Sequence, residues 1–123
     1  MRTTTDHASL RRIGQSGEEI ALRYLESHGY RLVARNFTTR RGEVDLIVEQ
    51  GELLVFVEVR WRASSAFGGA EATVSRPKQR RVVIAAIEYS ARHRVVDRAL
   101  RFDVVAINGA EVLHIPNAFD AGG

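Results

Sequence analysis

The stretch of residues 42–62 most constrains the fold, because it predicts a β-hairpin that carries charges inside its strands. Two apolar, β-branched runs flank a turn that contains glycine, and this combination is typical of two antiparallel strands. Asp45, Glu58 and Arg60 occupy positions where a strand usually carries apolar residues. A buried charge is unfavourable unless it is paired or binds a metal. These three residues are therefore the first candidates for a functional site.

The register of the predicted hairpin decides whether these charges meet. With a two-residue turn at Gln50-Gly51, Asp45 faces Phe56, and Glu58 lies on the adjacent diagonal. Other even loops near this centre also keep the two acids on one face, whereas a three-residue loop needs a bulge to do so. With an even loop, the acids and Arg60 converge at one end of that face. The other end of the face is filled by core residues, namely Ile47, Leu54 and Phe56.

Two carboxylates on one sheet face admit two interpretations. Neighbouring side chains on paired strands lie within about 5 to 8 Å, so Asp45 and Glu58 repel each other unless a cation lies between them. A hard divalent ion such as Mg²⁺, which prefers oxygen ligands, is the first candidate. The alternative is a structural salt bridge between Arg60 and either acid, since residues two apart share one face of a strand. Spacing alone leaves both interpretations open.

A helix is predicted before the hairpin, from residue 13 or 14 to about residue 28, with Gly29 as its left-handed stop. Glu18 lies in line with the apolar stripe of this helix, which we expect to be Ala21, Leu22 and Leu25. Glu18 is either a site residue or a first-turn acid that the helix dipole stabilises. Glu19 gains the same dipole benefit and points elsewhere, which leaves Glu18 as the site candidate.

The rest of the chain predicts three further strands and a second helix. The strands are expected over residues 30–37, 100–107 and 111–115, and Asn108-Gly109 forms a tight turn between the last two. In the first of them, Leu32 and Ala34 are expected on one side. A connection rich in glycine, alanine and serine spans residues 63–75, and the helix then runs to about residue 92. The expected inner stripe of this helix is Val82, Val83, Ala86, Ile87 and Ser90.

Basic residues cluster at the start of the second predicted helix, and two more lie in the connection before the hairpin. Cations are unfavourable at the positive end of a helix, so the cluster suggests a place where phosphate docks. A solvated basic face is the alternative. Seventeen of the eighteen basic residues are arginines, which coding bias explains and which also suits bidentate phosphate binding. The candidate nucleic-acid contacts are Arg40, Arg41, Arg76, Lys78, Arg80 and Arg81.

Two other polar residues favour structural roles. Asp103 lies inside the fourth predicted strand with Arg101 on the same face, which predicts a structural ion pair. His114 has no histidine or cysteine at the spacing of a metal site, so we expect it to be packed or hydrogen-bonded.

Composition limits the class of protein. The chain has no cysteine, which excludes disulfides, thiolate metal sites and thiol nucleophiles. No run of about eighteen apolar residues predicts a membrane span, and residues 1–12 lack the apolar segment of a secretory signal. We therefore expect a cytoplasmic protein without a membrane partner. Its 123 residues predict one domain over residues 13–119, between a flexible tail at residues 1–12 and a short tail at residues 120–123.

The ordered set of motifs along the chain resembles the YraN family of small bacterial proteins, which are predicted nucleases similar to archaeal Holliday-junction resolvases. The resemblance covers nearly all of the chain beyond the first tail. It implies an α/β fold with a restriction-endonuclease-like core, in which helices flank a mixed central sheet of about five strands in the order αβββαββ. The residues that carry it are Gly14, Gly17, Glu18, Ala21, Arg35, Asn36, residues 42–47 and 55–59, Phe67, Gly68, Val74, Lys78, and residues 101–105 and 114–119.

The resemblance also implies an activity, that of a Mg²⁺- or Mn²⁺-dependent endonuclease acting on structured or branched DNA. Glu18, Asp45 and Glu58 would supply carboxylate ligands, and the backbone carbonyl of Val59 would assist them. Arg60 stands where the wider nuclease superfamily typically has a lysine. Arginine stays protonated and cannot act as a base, but it can stabilise negative charge on phosphate.

Two further expectations accompany the resemblance. A homodimer is expected as one partner state, because resolvases tend to be dimers. The alternative function is a non-catalytic module that holds DNA or a repair protein on a nuclease fold, and Arg60 is the main argument for it.

Overall fold

The structure, a computed structural model, describes residues 7–62, 74–109 and 111–122, with side chains from Gly17 onward except that of Arg62. The predicted α/β class and the order αβββαββ are confirmed. Of the connection predicted over residues 63–75, residues 63–73 lie outside the described residues. The elements are α1 (His7–Ser27), β1 (Arg31–Thr38), β2 (Glu43–Gln50), β3 (Leu53–Arg62), α2 (Arg76–Arg92), β4 (Ala99–Asn108) and β5 (Glu111–Phe119).

The five strands form one mixed sheet in the order β1-β2-β3-β4-β5. Every neighbouring pair is antiparallel except β3 and β4, which run parallel. Parallel neighbours cannot be joined by a tight hairpin and need a crossover connection, and α2 lies in that crossover. The edge strand β5 continues past its predicted end at residue 115 and includes Pro116, which an edge position tolerates because it demands fewer ladder hydrogen bonds.

Each helix covers one face of the sheet with its own apolar cluster. On the α1 face, the predicted stripe of Ala21, Leu22 and Leu25 packs on apolar side chains from β2, β3 and β4. On the α2 face, a second cluster centres on Phe56, which is fully buried. Burying a side chain of this size contributes roughly 1.5 to 3 kcal/mol, so these clusters fix both helices against the sheet. Within the described ranges, neither helix combines the length and apolar character needed to cross a bilayer.

The helix α1 begins earlier than the sequence predicted. Its first residue is His7 rather than residue 13 or 14, so residues 7–12 are helical and are not part of a frayed tail. Its end is as predicted, because Gly29 follows with a positive φ of 91°. The N–H of Tyr30 donates to the carbonyl of Leu25 at 3.0 Å and closes this stop.

The strand β1 does not alternate as predicted. The register with β2 shifts between Leu32 and Ala34, which marks a β-bulge at Val33. As a result, Leu32 packs with the α1 cluster, whereas Val33 and Ala34 pack with the α2 cluster. The expectation that Leu32 and Ala34 share a side is therefore wrong.

The helix α2 begins close to its predicted start. Ser75 caps it, its hydroxyl accepting from the N–H of Lys78 at 3.3 Å. The predicted inner stripe is partly wrong, since Ile87 is 62% exposed. Tyr89 takes the inward place, where its ring packs edge-on against Phe56 with centroids 6.2 Å apart. The residues of α2 that are buried are Val82, Ala85, Ala86 and Tyr89.

A close backbone contact fixes α2 beside the start of β2. A Cβ placed on Gly42 would lie 2.5 Å from the carbonyl oxygen of Arg81 and 2.7 Å from the backbone nitrogen of Ala85. Both atoms belong to helix backbone and cannot move aside cheaply. Only glycine allows this approach. Gly42 therefore fixes the position of α2 relative to the hairpin, although the two are distant in the sequence.

We predict that Gly42→Ala lowers the melting temperature by roughly 5 to 15 °C, because the extra methyl group forces α2 away from the sheet. Thermal unfolding followed by circular dichroism measures the change. Gly122→Ala is the control, because a Cβ there would make only an ordinary contact at 3.6 Å. Equal melting temperatures for Gly42→Ala and the unmodified protein would contradict the proposed contact.

Candidate active site

The hairpin turn lies at a different position from the one predicted. The ladder pairs Gln50 with Leu53, so the two-residue turn is Gly51-Glu52, one residue later than expected. The loop stays even, and the predicted shared face is preserved. Continuing the pairing past its last member, Leu46 with Val57, sets Asp45 directly opposite Glu58 rather than Phe56.

The ladder between β2 and β3 ends at this point, and a side chain replaces it. Continued pairing would join Val59 to Val44, but the N–H of Val59 instead donates to Oδ2 of Asp45 at 2.8 Å. Strand β3 nevertheless continues along β4 to Arg62. The N–H and C=O of one strand residue point to the same side, so the Val59 carbonyl also faces the gap beside Asp45. The gap thus collects oxygen atoms from a carboxylate and a peptide.

The two acids are poorly neutralised within this gap. Glu58 is only 6% exposed, and its Oε1 has no hydrogen-bond partner. Burial, and next the negative charge of Asp45, raise the pKa of Glu58 to about 8. Burial also raises the pKa of Asp45, although the hydrogen bond from Val59 opposes the change. The pair therefore tends to hold a proton near neutral pH unless a cation replaces it.

Lys78 reaches the acids from the first turn of α2, a contact that the sequence did not predict. Its Nζ lies 2.6 Å from Oε2 of Glu43 and 3.6 Å from Oε2 of Glu58. The Nε of Arg81 lies 3.7 Å from the same Glu43 oxygen. The hydrogen bond from Lys78 is the largest cause of the lowered pKa of Glu43. Glu43, which sequence reasoning did not single out, thus joins the site through Lys78.

Glu18 approaches the same region from the opposite face of the sheet. Burial, followed by the charge of Asp45, raises the pKa of Glu18, which shows that the two carboxylates interact electrostatically. Glu19 turns instead to Arg35, whose Nη1 lies 2.9 Å from Oε2 of Glu19. The choice of Glu18 over Glu19 as a site residue, and its role as a ligand, stay predictions.

Asn36 is a residue of this site that the sequence did not identify as such. Its Nδ2 donates to Oε1 of Glu18 at 3.3 Å, and its backbone φ is +50°. Asparagine is among the few residues that adopt this left-handed conformation readily. An asparagine between two strand-like segments is the signal that could have indicated the irregularity.

Arg60 lies two residues after Glu58 on β3 and is half-buried. The strand places it on the face of Glu58, as the alternation predicted. Its contact with a substrate phosphate stays a prediction.

The fit of a divalent ion depends on two acids rather than three. Among the residues that the structure describes, no three His, Asp or Glu side chains are gathered closely enough to hold a metal. Glu18 therefore does not complete a three-carboxylate group. Asp45 and Glu58 still suit a hard ion, because a buried Glu58 oxygen is unpartnered and both pKa values are raised. Mg²⁺ often binds through one or two carboxylates and keeps several waters.

The candidate DNA contacts divide between two surfaces. Gly42 packs on α2, and the exposed Arg40 and Arg41 adjoin it in the turn before β2. The remaining pair, Arg76 and Arg80, is also exposed but lines a separate cavity with residues 120–122. The part that these residues take in binding DNA stays a prediction.

The predicted ion pair between Arg101 and Asp103 is confirmed and belongs to a larger buried network. The guanidinium donates to both carboxylate oxygens of Asp103 at 2.8 and 2.7 Å. The Nε2 of His114 lies 2.7 Å from Oδ2 of Asp103, and the N–H of Asn117 donates to its Oδ1 at 3.0 Å. The buried Asp103 thus joins β4 to the edge strand β5. His114 is hydrogen-bonded, as expected.

Comparison with known proteins identifies relatives of the whole domain. Residues 17–107 match the family described as "Uncharacterised protein family UPF0102". A UPF0102 protein of Myxococcus xanthus is 47% identical over 119 residues, which cover 94% of each chain. A UPF0102 protein of Anaeromyxobacter dehalogenans is 49% identical over 115 residues, covering 90% of this chain and 86% of that protein. The resemblance to the YraN family is confirmed by these matches.

We predict that metal-free stability falls as pH rises from about 5 to 8. The folded state holds the Glu58 proton up to a pKa of about 8, whereas the ordinary value is 4.5, so folding binds a proton across this window. Stability is full below the lower value and declines as pH approaches the upper value. Melting temperatures measured in EDTA should fall by roughly 5 °C or more.

Glu58→Gln should flatten this pH dependence, because glutamine carries no proton to lose. Glu52→Gln in the exposed hairpin turn is the matched control and should follow the unmodified protein. Equal slopes in Glu58→Gln and Glu52→Gln would show that Glu58 does not carry the dependence.

Proposed function

The chain belongs to the UPF0102 family, and we propose that it is a divalent-metal-dependent endonuclease that hydrolyses phosphodiester bonds in structured or branched DNA. The observation that carries this proposal is that the N–H of Val59, the residue after Glu58, donates to the Asp45 carboxylate where the β2–β3 ladder ends. A buried Glu58 with an unpartnered oxygen, beside a half-buried Asp45 whose pKa is also raised, is unfavourable for folding, and a bound Mg²⁺ or Mn²⁺ would relieve this cost.

The residues around the gap would divide the work of hydrolysis. Asp45 and Glu58 would hold the ion, with the Val59 carbonyl beside them. The ion would supply an activated water and stabilise negative charge on the phosphate. Arg60, on the same strand face as Glu58, would contact the scissile phosphate and stabilise its developing charge. Glu18 would act on the site through water or through its electric field.

The basic surface would hold the DNA backbone without selecting a sequence. Phosphate contacts position a nucleic acid but do not read its bases. The backbone of the strand that is cut would be bound by Arg81, which contacts Glu43, and by Arg40 and Arg41, which adjoin Gly42. Arg76 and Arg80 would engage a second segment, which suits a branched substrate better than a linear one. A homodimer would present two such sites to one junction.

The second candidate function is binding without chemistry. Arg60 favours it, because a guanidinium cannot serve as a base. The absence of a three-carboxylate group among the described residues favours it as well. This alternative requires DNA binding that weakens with salt and persists in EDTA. Cleavage gained by Arg60→Lys in an otherwise inactive protein would identify a nuclease that has lost its chemistry.

We predict that the purified protein cleaves four-way junction or flap DNA with Mg²⁺ or Mn²⁺ and spares linear duplex. Asp45→Asn should reduce the single-turnover rate by roughly 100-fold or more, because it removes a metal-binding charge while keeping the shape. Glu52→Gln should cut at the normal rate. Denaturing gels of end-labelled strands measure the rate.

Two outcomes would contradict the proposed nuclease function. One is that the unmodified protein cuts none of these substrates in either metal. The other is that Asp45→Asn cuts as fast as the unmodified protein, which would place the activity elsewhere or in a contaminant.

A further inference from the structure

Lys78 is the only lysine in a chain with seventeen arginines. Its side chain is 21% exposed, and its ammonium lies between two carboxylates that come from different strands. The neighbouring basic residues of α2, Arg76 and Arg80, point instead toward the C-terminal residues. The lysine thus stands at the one basic position of this helix turn that reaches the acids on both strands.

The two contacts of Lys78 are unequal. The distance of 2.6 Å to Glu43 is that of a charge-assisted hydrogen bond, whereas the 3.6 Å to Glu58 is only an ion-pair distance. An ammonium is a compact charge on a flexible stem, so it can shift between two oxygens without losing both. The planar fork of an arginine lacks this freedom.

The two carboxylates that contact Lys78 are unequally compensated. Glu43 receives the hydrogen bond from Lys78 and lies 3.7 Å from a second cation, Arg81. Glu58 is buried, contacts Lys78 only at ion-pair distance, and keeps Oε1 without a hydrogen-bond partner. A divalent cation at Glu58 would bind that oxygen and would repel the ammonium.

The two carboxylates that contact Lys78 differ in their exposure to solvent. The side chain of Glu43 is 40% exposed, whereas that of Glu58 is 7% exposed. Because the ammonium is already hydrogen-bonded to Glu43, loss of its contact with Glu58 leaves it at the more exposed carboxylate, where a phosphate arrives. The rigid start of α2, capped by Ser75 and packed on Gly42, keeps the lysine within reach.

We propose that Lys78 is a catalytic residue whose ammonium competes with the divalent ion for Glu58 and, held by Glu43, donates to the phosphate that is cut. The proposal rests on the proposed nuclease function. It assigns Lys78 a place in the reaction centre, beyond the general DNA contact that its position on α2 suggested. Before the metal binds, the ammonium partly occupies the metal-binding position beside Glu58.

Calorimetric titration with Mn²⁺ tests the competition without reference to activity. Lys78→Met should bind Mn²⁺ roughly tenfold tighter or more than the unmodified protein, because a positive charge a few ångströms from the ion is removed. Arg80→Met carries the same change of charge two residues away and should shift the affinity far less. Lys78→Gln is the second variant, and circular dichroism verifies that each variant is folded.

Single-turnover cleavage at saturating Mn²⁺ tests the catalytic part. Lys78→Met should cut roughly 100-fold more slowly although it binds the metal more tightly. A residue that only supported the fold would weaken both metal binding and cleavage, so the opposite signs are diagnostic.

The outcomes separate this inference from the proposed function. Unchanged or weaker Mn²⁺ binding in both Lys78 variants overturns the competition, and an unchanged cleavage rate overturns the catalytic role. If the unmodified protein binds Mn²⁺ but cuts nothing, the nuclease proposal and the catalytic role fail together, while the affinities still decide the competition. If neither the unmodified protein nor the variants bind Mn²⁺, both proposals are overturned.

Discussion

The Asp45 carboxylate accepts the hydrogen bond that the backbone of β2 would otherwise accept from Val59. Because a side-chain oxygen takes the place of a backbone acceptor here, the β2–β3 ladder ends, while β3 continues beside β4. The sheet opens between two central strands, and the opening is lined by acids instead of apolar side chains. Beside this half-buried Asp45, the buried Glu58 keeps one oxygen without a hydrogen-bond partner, and the need to compensate it links the fold to cation binding.

Both helices converge on this opening from opposite faces of the sheet. The helix α1 brings Glu18 from one side, and α2 brings Lys78 from the other. The close approach of Gly42 to α2 sets the second placement, whereas the apolar stripe of α1 sets the first. The site is therefore a product of two separate packing contacts and the hairpin register, which explains why residues distant in the chain meet there.

The fold and the acid pair could be predicted because they depend on the local periodicity of apolar residues and on an even number of residues in the hairpin loop. An even hairpin loop puts Asp45 and Glu58 on one face wherever its centre falls. The turn lies one residue later than predicted, but the face that the two acids share is the same. The bulge at Val33 and the inward place of Tyr89 could not be predicted, since tertiary packing decides both. The pairing of Lys78 with Glu43 and Glu58 likewise depends on how α2 lies on the sheet, which spacing does not encode.

Anomalous diffraction from crystals grown with Mn²⁺ tests the central claim most directly, namely that Asp45 and Glu58 form a cation site that Lys78 partly occupies. We expect one anomalous peak within about 2.3 Å of both carboxylates. We also expect a Lys78 ammonium farther from Glu58 than its metal-free distance of 3.6 Å. A peak elsewhere, or none at saturating Mn²⁺ with Lys78 still beside Glu58, would show that the two acids do not form this cation site.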